Sequence, residues 1–76
     1  MNQISQQVLD ISVQYLGPAA QRFLERQIRA HLNGLLFTDL QKSHIPELTS
    51  WIRISAALII DKKKADEFAL KISRLG

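Results

Sequence analysis

The chain has no cysteine among its 76 residues. Disulfide stapling is therefore excluded, as are thiolate metal sites and cysteine nucleophiles. Glycine occurs three times, as isolated Gly17, Gly34 and Gly76, so no glycine-rich loop exists to cradle a phosphate. Only five aromatic residues are present: one Trp, one Tyr and three Phe. They are not interleaved with the basic residues in the way that base stacking requires. The longest apolar run, Ala56-Ala57-Leu58-Ile59-Ile60, falls far short of the roughly 20 residues that span a bilayer. The amino terminus shows no basic segment followed by an apolar one, so the expected compartment is the cytoplasm. Charge of either sign is modest. Ten Lys and Arg against seven Asp and Glu leave a formal +3, which permits an acidic partner or nucleic acid without requiring either.

What is present is helical periodicity. Ile4, Val8, Ile11 and Tyr15 recur at helical spacing, with Leu9, Val13 and Leu16 on the adjacent row, and predict a helix over residues 4–16. Gly17-Pro18 then marks a joint. Glycine accepts a positive φ, and proline suits the first turn of a new helix while it cannot continue the old one. Residues 18–31 form the next helix, with Ala20, Phe23, Leu24 and Ile28 on one face. Glu25 precedes Arg29 by one helical turn, the favourable order for an ion pair. Asn33-Gly34 stops this element. A hairpin through that dipeptide competes, but its flanks do not alternate as strands do.

Thr38 and Gln41 have capping-box spacing, which predicts a short helix over residues 39–43 with Leu36, Phe37 and Leu40 turned inward. Pro46 opens a longer segment to about residue 60. Leu48, Trp51, Ile52, Ser55 and Ile59 form one face, which Ile54 and Leu58 broaden, and so much apolar surface argues for a central position. Asp61 caps a last helix over residues 62–75, with Ala65, Phe68, Ala69, Ile72 and Leu75 inward. The expected fold is an all-α, compact single-domain bundle of four to five helices over residues 1–76, with a sharp Gly-Pro joint between the first two.

No catalytic constellation emerges. His31 and His44 are the only groups whose unperturbed charge changes near neutral pH. Nothing marks further ligands that would complete a zinc site around them. His31 sits at a helix carboxyl end, where partial positive charge is favoured. Asp39, Glu47, Asp61, Asp66 and Glu67 fall near predicted helix amino ends, where the dipole accounts for them. There is no strand–Ser–helix elbow. The expectation is therefore no enzyme activity, no cofactor, no metal and no small-molecule substrate.

Arg22, Arg26 and Arg29 form an i, i+4, i+7 row on the second helix, and Lys62, Lys63 and Lys64 open the last one. The arginines suit bidentate contact with carboxylates or phosphates. The helix after Pro46 is too apolar to be a recognition helix, and the one after the joint opens Pro-Ala-Ala rather than with base-reading side chains. The candidate interaction surface is Arg22, Arg26, Arg29, Leu35, Phe37 and Trp51, with Trp51 and Phe37 open between core and interface. The leading expectation is a protein partner or a homodimer, and the alternative is a small nucleic-acid-binding regulator using the basic helix face.

The stretch Tyr15-Leu16-Gly17-Pro18-Ala19-Ala20, flanked by Val8-Leu9 and Phe23-Leu24, resembles a small helical domain of bacterial regulatory proteins, notably cyanobacterial ones. That family has an aromatic–aliphatic–Gly-Pro-small-Ala signature after its first helix. It occurs alone or joined to signalling modules. Leu36, Leu40 and Phe68 could match its downstream positions, whereas Ala19, Leu24-Glu25 and Trp51 depart from it. The resemblance implies a regulatory accessory or interaction domain, and it carries over no catalytic residues.

Overall fold

The computed structural model describes residues 2–76. Helix α1 spans Gln3–Leu16 and is capped by Asn2, whose side-chain oxygen accepts from the Ser5 amide at 2.8 Å. A single 3₁₀ turn, Gly17–Ala19, leads straight into α2, Ala20–His31. Gly17 has φ 57° and ψ −137°, a region that a side chain disfavours strongly. A Cβ there would meet nothing within 4 Å, so the backbone angle and not crowding demands glycine. Asn33 and Gly34, both at positive φ, turn the chain after α2. Helix α3 spans Ile45–Ala56, and α4 spans Lys62–Ser73 with Asp61 as its cap, accepting from the Lys64 amide at 2.8 Å.

The helical run over residues 3–31 contains no loop residue. Its arms α1 and α2 are one bent unit packed against each other. The architecture is thus an all-α bundle of three helical segments, and the expectation of four to five helices is corrected. The additional helix anticipated over residues 39–43 does not form. In its place stand two 3₁₀ turns, Phe37–Asp39 and Lys42–His44, separated by extended Leu40 and Gln41. The reason is competition for carbonyls. Asn2 Nδ2 donates to the carbonyls of Thr38 (3.1 Å) and Leu40 (2.8 Å), and Ser5 Oγ donates to that of Phe37 at 2.7 Å. These tertiary bonds occupy groups that a continuing helix would have used. The cap also moves: the Gln41 amide, not Thr38, engages the turn by donating to His44 Nδ1 at 3.0 Å.

Fourteen buried apolar residues from every helix and the connecting turn form one core, with Phe68, Leu24, Ile28, Leu40, Ile45, Leu48, Ile52 and Ile72 sealed from solvent. Phe68 stacks on Tyr15 at 5.1 Å and meets Phe23 at 6.3 Å between ring centres. Helices α3 and α4 make the most extensive pairing, tied at the surface by Arg53 to Asp66 at 3.7 Å, while Lys62 reaches the same carboxylate from within α4 at 3.0 Å. Two serines predicted on neither stripe, Ser5 and Ser12, are fully buried. Conversely, Leu36, Val13 and Ile59 lie largely in solvent although the periodicity turned them inward.

Helix α3 is shorter than expected. It stops at Ala56, and residues 57–59 form a turn in which the Leu58 amide donates to Ser55 and the Ile59 and Ile60 amides to Ala56. Asp61 must be extended to cap α4, so the helix has to end before it. That early stop swings Leu58 and Ile59 outward, and the broad apolar face expected to be central is in part surface.

Candidate functional site

Helix α2 divides into an inward face, Ala20, Leu24, Gln27 and Ile28, and an outward one carrying Arg22, Glu25, Arg26 and Arg29. The three arginines are exposed. Among the described residues none has a carboxylate within 4.0 Å, the ion pairs there being those of Asp66. The pair expected between Glu25 and Arg29 does not form; Glu25 instead lies 3.4 Å from Gln21 Nε2. The arginine row is therefore free to meet charge from outside.

Beside it runs a trough between α2 and the corner joining α3 to α4. Arg22 and Arg26 stand on its rim, and Phe23, Gln27, Ser55, Leu58 and Ile59 line it. Leu58 is 83% exposed and Ile59 60%. Its walls are held together by Ser55 Oγ donating to Gln27 Oε1 at 2.8 Å. Gln27 is buried, so this bond satisfies a polar group that would otherwise be costly there. Arg29 continues the basic row past the trough, toward the exposed Leu36 and half-buried Leu35.

The six residues singled out from sequence thus separate. Arg22 and Arg26 join the trough, and Arg29 and Leu35 lie beyond it. Phe37 is a core residue, 5% exposed, and is unavailable as a surface anchor. Trp51 is neither sealed nor free: it is half-buried, stacked face to face on His31 with ring centres 3.6 Å apart and planes at 4°. That stack ties the end of α2 to α3 and accounts for His31 without a ligand. Leu58 and Ile59 were hidden from sequence reasoning because they sit on helical spacing. The signal that could have exposed them is that Ile54, Leu58 and Ile59 exceed what a single buried stripe holds.

A second, more polar depression lies between α1 and α4, lined by Tyr15, Asp61, Lys64, Glu67 and Lys71 among others. Tyr15 donates its hydroxyl to Glu67 Oε2 at 2.6 Å, and Lys71 Nζ stands 5.1 Å from the Tyr15 ring centre. The Tyr15 hydrogen bond, helped by the charge of Lys64, holds the Glu67 carboxyl below its ordinary pKa. The group is a solvated ion cluster rather than a converging acid–base pair. Among the described residues no three His, Asp or Glu side chains gather where they could hold a metal, and no helix is long and apolar enough to cross a membrane.

No protein-family model, curated protein or solved structure matches the chain. The functional reading therefore rests on the geometry of α2 and its surroundings.

Proposed function

We propose that this chain is a noncatalytic protein-interaction module, a cytoplasmic regulatory accessory domain of bacterial signalling whose product is a presented surface. The observation that carries the reading is the row Arg22, Arg26 and Arg29, exposed and without a carboxylate partner among the described residues, running beside a trough walled by Leu58 and Ile59. Guanidinium forks match carboxylates in geometry and charge, and uncovered aliphatic side chains gain from burial. An acidic protein surface answers both needs. The likeness of residues 15–20 to the Gly-Pro domains of regulatory proteins points to the same class.

The test is titration of the isotopically labelled chain with poly-L-glutamate and, separately, with a generic DNA duplex. The expected result is amide shifts along α2 with polyglutamate, weakened by salt and abolished in Arg22→Ala/Arg26→Ala/Arg29→Ala. A response to the duplex alone, falling steeply with salt, would replace this reading with a nucleic-acid-binding regulator. Silence toward both would reduce the arginines to solubilising charge.

A further inference from the structure

We infer that the trough between α2 and the α3–α4 corner is a docking groove for an acidic amphipathic helix of a partner protein. This rests on the interaction-module reading and adds to it the shape and chemistry of the occupant. The trough has a volume of about 340 Å³. Phe23, Leu58 and Ile59 supply apolar wall, and the Gln27–Ser55 hydrogen bond fixes the two sides relative to one another before anything binds. A preformed groove loses little ordering entropy on binding.

Charge complementarity selects the occupant. Two arginines rim the groove and no carboxylate lines it. They are four residues apart on α2, a separation of about 6 Å along the axis. Carboxylates one turn apart on a facing helix would repeat that spacing, with a large apolar side chain beside them entering between Leu58 and Ile59. A helix also suits the walls. They are built from helical backbone whose amides and carbonyls already pair within the chain, so no edge is offered to an added strand.

A second copy of this chain answers the chemistry poorly. Of its seven acidic residues, Asp66 serves Arg53 and Lys62, Glu67 serves Tyr15, Asp61 caps α4, and Asp10 accepts from Gln6. Glu25 accepts from Gln21 at 3.4 Å, and Asp39 and Glu47 remain, on separate elements, so that no acidic strip forms. Phosphate of a nucleic acid would satisfy the arginines but gain nothing from Leu58 and Ile59.

The experiment is selection from a displayed library of randomised helical peptides against the wild-type chain, with Arg22→Glu/Arg26→Glu and Leu58→Ser as counter-selection targets. All three residues are exposed, and circular dichroism would verify that the variants keep the fold. The expected winners carry two acidic residues four apart and a large apolar residue between or beside them. Each variant should weaken a winning peptide by tenfold or more, and Lys replacements in the peptide should restore binding to the Glu variant. Acidic winners that ignore Leu58→Ser would overturn the groove while leaving the acidic-partner reading intact. Winners without acidic residues would overturn both. Concentration-dependent dimerisation abolished by Leu58→Ser would give the groove to a second copy. Binding to phosphatidylserine vesicles or duplex DNA, with no peptide enriched, would give it to those surfaces and refute the inference.

Discussion

Ser5 and Ser12 are both fully buried on α1 and both donate at 2.7 Å, yet replacing each with alanine should have opposite consequences. Ser12 Oγ donates to the Val8 carbonyl, one turn back in its own helix. That carbonyl already receives the Ser12 amide in the helical ladder, so removing the hydroxyl orphans nothing. Alanine is the better helix former by up to about 0.5 kcal/mol, and a side chain bonded back to its own helix is itself mildly unfavourable. Ser12→Ala should be neutral or stabilise by a few tenths of a kcal/mol. Ser5 Oγ donates instead to Phe37, far along the chain, and fastens α1 to the turn that carries Phe37 and Leu40 into the core. The Phe37 carbonyl keeps the Leu40 amide at 3.2 Å, so it is weakened and not orphaned. A hydrogen bond of this kind contributes about 1 kcal/mol net. The propensity gain at the first turn offsets part of it, leaving Ser5→Ala destabilised by about 0.5–1 kcal/mol. The two variants should differ by roughly 1 kcal/mol, or about 4–8 °C in Tm for a domain this size. Thermal unfolding followed by far-ultraviolet circular dichroism measures it. Amide exchange at Asp39 and Leu40 should quicken in the Ser5 variant alone. Equal losses, or a larger loss from Ser12→Ala, would refute the claim that the long-range bond and not burial of the hydroxyl is what matters.

Gly17→Ala should destabilise the chain by about 1–3 kcal/mol through backbone strain, measured by urea unfolding, because there is open space for the methyl but φ is +57°. Thr49 Oγ1 is buried without a partner, so Thr49→Val should raise stability by about 1 kcal/mol in the same assay. Tyr15→Phe removes the 2.6 Å bond to Glu67, and carbon-detected titration should show the Glu67 carboxyl rising toward its ordinary value. In the wild type the lowered value means that the contribution of this group is present above the carboxyl's unfolded pKa and disappears as pH falls through the folded one. The acid limb of the stability profile should therefore flatten in the variant. Leu58→Lys should change stability by no more than about 0.5 kcal/mol, whereas Ile52→Ala should cost about 2–5 kcal/mol, with urea midpoints reporting both.

Long stripes were legible because repetition over several turns leaves one solution. Val8, Leu24, Ile28, Phe68 and Ile72 stand in the core as their spacing requires. Asp61 was legible as a cap because its effect is local. The segment after Asn33 was not, because its conformation is decided from a distance. Asn2 and Ser5 take the carbonyls of residues 37, 38 and 40, and no local pattern announces that competition. The same bonds leave Leu36 in solvent while Phe37 and Leu40 are buried. The site was half legible. The arginine row is visible in spacing alone, but its apolar neighbours depend on where α3 stops, and periodicity alone runs on past Ala56.

That stopping point links fold to function. A continuous helix from Pro46 to Ile60 would have spent its aliphatic surplus along one rod. Ending at Ala56 lets the chain reverse into the Asp61 cap, and the reversal leaves Leu58 and Ile59 facing Phe23 and the guanidinium rim of α2 across an unfilled trough. Ile52 and Ala56, immediately before, are sealed, and although Ile54 on α3 is also exposed, Leu58 and Ile59 gather most of the surplus at the corner. A small domain buries a limited share of its surface, and aliphatic residues left outside are ordinary when scattered. Here two of them adjoin arginines that have no ion-pair partner among the described residues, and the walls between are locked by a part-buried hydrogen bond. Scattered leftovers would need neither the lock nor the charge. Their conjunction on one side of α2 is what favours a received helix over a surface tuned for solubility.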